Sequence, residues 1–201
     1  DGWKLTGALT FYESPIEMSH STIARNISED ALNIVRSRFV IKDSLFSHAF
    51  SDALDVDFGE GVIKNSKIKY SGNDAIDISG TKINLKNIAI SFAGDKGISA
   101  GEKSDVEAES ITILDSKNAV ASKDSSRIVL EGVRLKDVEI GFSVFQKKPE
   151  FGPAQILVNR LDHKATQFLY MVEDGSQLHV DGIEILDKRS DVKEFLYSLR
   201  N

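Results

Sequence analysis

A pair of apolar residues with one residue between them returns every 22 or 23 positions along most of this chain. The pairs are Ile16/Met18, Phe39/Ile41, Ile83/Leu85, Val106/Ala108, Ile128/Leu130, Ile156/Val158 and Leu178/Val180, and Gly61/Ile63 fills the interval between the second and third. Successive first members lie 23, 22, 22, 23, 22, 28 and 22 residues apart. A fixed period of this size marks a stack of repeats, in which no unit can bury its apolar face without its neighbours.

Within each unit the apolar residues alternate with period two, as in short strands. The unit that starts at Ile83 has three such segments: Ile83/Leu85, Ile88/Ile90 and Ile98/Ala100. No stretch between them carries an apolar stripe at 3.6-residue spacing, so alternating strands and helices are excluded. The Leu-rich consensus of a leucine-rich repeat is also missing. Three strands in 22 residues describe one coil of a solenoid. The expected fold is all-β, a parallel β-helix of about eight coils over residues 16–186. A turn column, Asp43, Asn65, Asn87, Ser110, Gly132, Asn159 and Gly182, separates the first two strands of successive coils. Asn, Asp and Gly are the residues that best tolerate left-handed backbone angles, which a corner repeated in every coil requires.

The C-terminal stretch, residues 187–201, changes character. Ser190-Asp191 can cap a helix whose Val192, Phe195, Leu196 and Leu199 share one face. A helix there is expected to cover the last coil, whose strand edges would otherwise be open. At the other end, either Trp3-Lys4-Leu5 does the same job or the natural protein continues upstream. Residues 1–201 read as one domain, with three prolines and no Ser/Gly-rich linker. The start at Asp1-Gly2-Trp3 suggests a piece of a longer protein. A net charge of −6 disfavours a nucleic-acid partner. No apolar run approaches the roughly 20 residues that span a bilayer. The absence of cysteine removes disulfide and thiolate chemistry.

Phrases such as Ser51-Asp52-Ala53-Leu54-Asp55-Val56-Asp57, Gly72-Asn73-Asp74-Ala75-Ile76-Asp77 and Gly94-Asp95-Lys96-Gly97-Ile98-Ser99 recur with the coil period. In these residues and in that period, residues 16 to 186 resemble the right-handed parallel β-helix superfamily of pectate lyase-like proteins. The resemblance implies the fold, and a place among polysaccharide lyases, epimerases and hydrolases. No complete catalytic motif of one enzyme family is matched, so chemistry has to be read from the residues.

Aligning the third strand across coils gives an outward column Asn33, Asp55, Asp77, Ser99, Ala121, Ser143. A second column two residues on reads Val35, Asp57, Ser79, Gly101, Lys123, Phe145, and the preceding turn adds Asp30, Asp52, Asp74, Lys96, Asn118. Coils about 4.8 Å apart stack Asp55 on Asp77, with Asp57 about 7 Å along the same face. Like charges at that spacing repel. A hard cation such as Ca²⁺ on Asp55, Asp57 and Asp77, a raised pKa, or a nearby lysine would compensate; the alternative is a plain solvated acidic face.

Further along the same side come Lys96, Lys103, Lys123, Lys147 and Lys148. A lyase acting on a uronic-acid polymer needs the sugar carboxylate neutralised and a base for the C5 proton. Lys123 is the candidate base, and Lys96, Lys147 and Lys148 the candidate contacts to substrate carboxylates. The 28-residue spacing arises from an insertion at Gln146–Pro153, whose Phe151, with nearby Phe145, is positioned to stack on a sugar ring. The four histidines form no column, which disfavours zinc or a His-based triad. Two readings result. One is an extracellular, periplasmic or cell-surface protein that recognises an acidic polysaccharide, as a lyase or epimerase. The other is a non-catalytic binding or spacer module beside other domains of a larger secreted protein.

Overall fold

The computed structural model describes residues 5–198. Its strands stack in parallel, each on its counterpart in the next coil, into a solenoid with three lengthwise sheets. In the first sheet Ile16 pairs with Phe39, Phe39 with Gly61, Gly61 with Ile83, Ile83 with Val106, Val106 with Ile128, Ile128 with Ile156 and Ile156 with Leu178. This is the register that the apolar pairs predict. The third sheet starts earlier than expected, because Gly7–Tyr12 already pairs with Asp30–Val35.

The core is the set of inward columns. Phe39, Ile63, Leu85, Ile98, Ile128, Leu130 and Ile156 are almost wholly buried, and one continuous apolar cluster runs through the coils. Gly61 interrupts its column for a steric reason. A Cβ there would lie 2.6 Å from ring atoms of Phe39, whose bulk fills the space on the coil before.

Two devices turn the chain at the corners. The first is a left-handed residue. Asp43, Asn65, Asn87, Ser110 and Gly132 have φ between 49° and 75°, as the turn column requires. In the coil after the insertion this role falls to Arg160 (φ 57°) rather than the expected Asn159. The strand register explains the shift, since Asn159 pairs with Glu131 and Leu161 with Val133, leaving Arg160 opposite Gly132. At the second corner His48, Tyr70 and Phe92 take the same backbone angle and stack their rings at 4.7 and 4.6 Å. The second device is an inward hydroxyl just after the corner. Ser44 Oγ donates to Lys42 O at 2.7 Å, and the Ser44 amide donates to Ser66 Oγ of the next coil at 3.2 Å. At the third corner the Thr81 amide donates to Ser104 Oγ and the Ser104 amide to Ser126 Oγ, both at 3.1 Å. Each hydroxyl thus satisfies a buried amide that the turn takes out of the sheet ladder.

The end of the last coil is covered by chain, not by helix. Ile183 and Glu184 fold back antiparallel on Gln177–Val180, and the Arg189 amide donates to Val172 O at 2.9 Å. The expected helix is present as α1 (Val192–Ser198), but it lies against the outer face of the third sheet. Val192, Phe195, Leu196 and Tyr197 pack there on Ile140, Phe145, Phe168 and Met171. Leu199 of the expected apolar face lies outside the described residues, as do Trp3 and Lys4 of the proposed N-terminal lid.

Truncating one member of an inward stack leaves a cavity that neighbouring coils cannot close. Ile98→Ala is expected to cost about 2–5 kcal/mol and to lower the melting temperature by roughly 5–15 °C. An unchanged thermal transition would mean that Ile98 is not in the stack.

Candidate functional site

The outer face of the third sheet carries the chemistry. Alternation along its strands creates two outward columns, and the turn into each strand adds a third. Nearest the corner lie Asp30, Asp52, Asp74, Lys96 and Asn118, followed by Ile140 and Phe168. The middle column runs Thr10, Asn33, Asp55, Asp77, Ser99, Ala121, Ser143, Met171. The far column contains Asp57, Ser79, Lys123 and Phe145. The face therefore passes from carboxylates, through two lysines, to an apolar strip under α1.

The register pairs Asp55 with Asp77 directly, while Asp57 pairs with Ser79. The two stacked carboxyls have different partners. Asp77 has Lys123 Nζ at 3.9 Å, and the same ammonium donates to Ser99 Oγ at 2.8 Å. Among the described residues Asp55 has only an amide, Asn33 Nδ2, at 2.9 Å. Burial, together with the charges of Asp57, Asp30, Asp77 and Asp52, pushes the Asp55 carboxyl up to about 8. Burial likewise pushes Asp52 up to about 6, although the Asp74 amide and Asn73 Nδ2 donate to its Oδ1 at 2.7 and 2.8 Å. Asp30 and Asp57 are raised for the same first reason. Burial raises Asp74 also, against the pull of Lys96.

The lysines are placed differently from a reading as free surface cations. Lys123 points outward but is 7% exposed, because its chain lies back across Ser99 toward Asp77. Lys96 is 4% exposed and sits between Asp74, at 3.4 Å, and Asp95. Lys148 ends at Glu102. The insertion that carries it is pinned by Asp124, whose Oδ1 accepts the amides of Lys147 and Lys148 at 2.7 Å each. Lys147 Nζ lies 5.7 Å from the Tyr197 ring, and Lys193 Nζ donates to Lys147 O at 2.9 Å, so the insertion and α1 hold each other. Phe151 is half-buried on the insertion. Phe145 is wholly buried beneath α1 and offers no ring to solvent, contrary to expectation.

Among the described residues no three His, Cys, Asp or Glu side chains are arranged to hold a metal ion. Asp55, Asp57 and Asp77, the set expected to take Ca²⁺, do not converge as such a group. Lys123 stands beside Asp77 and the proton affinity of Asp55 is raised, two of the three compensations expected for the stacked pair. Asn33 and Ser99 had no role in the sequence reading, and Asp30, Asp52 and Asp74 were placed only in the turn; all stood in the aligned columns.

The family described as right handed beta helix region matches residues 30–185. The chain belongs to that family. No curated protein and no solved structure matches the chain. The coils that bear the acidic face, from Asp30 onward, lie inside the region matched to the right-handed β-helix family.

The acidic face makes this β-helix sensitive to pH in a defined direction. A carboxyl whose folded pKa lies above its unfolded value binds more protons folded than unfolded, so stability falls as pH rises between the two values. For Asp55 that window runs from 3.8 to about 8. The melting temperature should therefore be higher at pH 5 than at pH 8. Asp55→Asn should raise it at pH 8 by a few degrees, roughly what 1 kcal/mol does in a chain of this length after discounting for solvent screening. It should change little at pH 5. A flat wild-type profile across this window would contradict the electrostatics assigned to the face.

Proposed function

We propose that this β-helix processes a glycan laid along the coil axis across the outer face of the third sheet. The observation that carries the reading is the unequal pair Asp55 and Asp77. They stack on adjacent coils, where strands lie about 4.8 Å apart. One has a lysine beside it, and the other holds its proton to about pH 8. Carboxyls held side by side in environments this different suit cleavage of a glycosidic bond, which needs a proton donor and a carboxylate together. In this reading Asp55 protonates the leaving oxygen. Asp77, steadied by Lys123, faces the anomeric carbon or the water that attacks it. Clustered proton affinities displaced by burial and charge are characteristic of functional sites.

A lyase that uses Lys123 as its base is less well supported. The ammonium is buried, donates to Ser99 and borders Asp77, which suits a positioning residue better than a base. Lys96 and Lys148 are likewise engaged with carboxylates of the protein itself. A location where polysaccharides are met, outside the cell or at its surface, goes with the glycan reading, as do further domains in the same protein. The burial of Lys96 and Lys123 also favours a second reading, a glycan-binding or spacer module without catalysis.

The two readings separate in one assay. On a panel of neutral, amino and uronic polysaccharides the wild type should release reducing ends from at least one. Asp55→Asn and Asp77→Asn should each slow that release by about 100-fold or more. New absorbance near 235 nm, roughly where unsaturated uronates absorb, would instead mark elimination and restore Lys123 as the base. Glycan binding without turnover, unaltered in Asp55→Asn, would identify a binding module.

A further inference from the structure

The outward face of the early coils carries more negative charge than the protein matches. Of its six aspartates, Asp74 has Lys96 at 3.4 Å and Asp77 has Lys123 at 3.9 Å. Among the described residues, Asp30, Asp52, Asp55 and Asp57 form no ion pair with any lysine, arginine or histidine. Asp52 and Asp55 are held by the neutral amides of Asn73 and Asn33.

A second observation lies at the floor of the same end. Asp30 is 2% exposed; the Thr6 side chain hydrogen-bonds its carboxyl, while its Oδ2 has no hydrogen-bond partner among the described residues. It stands next to Asp52 in the corner column, and its charge is felt by both Asp52 and Asp55. In the neighbouring column the Thr10 hydroxyl is also buried without a partner. Buried polar atoms left unpaired are costly and uncommon, and two together mark a place where something else supplies donors.

We propose that this end of the face is a subsite for a cationic sugar, the protonated amine of an amino-sugar residue in a glycan. The inference rests on the glycan reading above and names its substrate class. Asp52, Asp55 and Asp57, each half-buried, line the solvent side, while Asp30, buried beside Asp52, adds charge and an acceptor without a partner among the described residues. An ammonium brings three donors and one positive charge, and does not need the converging ligand shell of a metal ion. A uronate in the same place would set its carboxylate beside those of Asp30, Asp52 and Asp57 and be repelled. The acidic polysaccharide expected from the sequence thus fits this end of the face poorly.

Isothermal titration of the full chain at pH 7 and low salt tests the assignment. The probes are a fully deacetylated glucosamine hexamer, the N-acetylglucosamine hexamer, a galacturonate hexamer and calcium chloride alone. The deacetylated hexamer should bind at least ten-fold more tightly than the acetylated one, and the galacturonate hexamer should bind worst. On the wild type, 0.5 M salt should reduce the preference for the amine several-fold, which tests the charge without any variant. Asp52→Asn/Asp57→Asn, with circular dichroism and melting confirming its fold, should bring the two glucosamine oligomers to similar affinity. Equal affinities in the wild type, or a preference that survives the double change, would overturn the subsite and leave the glycan reading standing. Galacturonate binding that depends on calcium would overturn it in favour of a metal-bridged uronate. Binding of none of the sugars would remove both the subsite and the glycan reading.

Discussion

Every part of this molecule depends on the backbone hydrogen bonding between one coil and the next. Parallel pairing sets each residue directly on its counterpart about 22 positions away, at a spacing of about 4.8 Å. Whatever property a position has is thereby repeated or opposed at close range. Inward, isoleucine on isoleucine makes a continuous core from short strands. Outward, aspartate on aspartate makes an electrostatic problem that side chains from other coils have to solve. The unusual proton affinity of Asp55 is a direct result of that geometry, since burial and neighbouring carboxyls act on it together.

Lys123 shows how the solution crosses coils. It belongs to the strand Asn118–Lys123, yet its ammonium reaches Ser99 on the adjacent strand and Asp77 on the strand beyond. This asymmetry breaks the equivalence of the stacked pair, so one carboxyl has a cation and the other retains a proton. A repeating scaffold that would otherwise give identical environments to equivalent positions thus produces two chemically distinct groups side by side.

The period and the strand alternation were legible in the sequence because the constraint behind them is strict: a one-residue slip turns an inward residue outward. The pairing of Asp55 with Asp77 followed from the same alignment. Asn159 was misassigned because residue preference pointed to Asn, although the constant offset of four residues from the first apolar member puts the turn at Arg160. The burial of Lys96 and Lys123 was not legible, since a long flexible side chain can leave its strand position and lie along the surface. Nor was the seat of α1. An amphipathic helix shows that it needs an apolar partner but not which one, and here the partner is a strip on the flank of the solenoid.

That strip has a consequence for how the protein is made. Ile140, Phe145, Phe168 and Met171 all precede α1 in the chain, so a ribosome completes the apolar surface before it supplies the cover. During synthesis the later coils can stack while their flank is still bare. The helix is therefore more than a finishing ornament: it shields a surface that would otherwise draw nascent chains together.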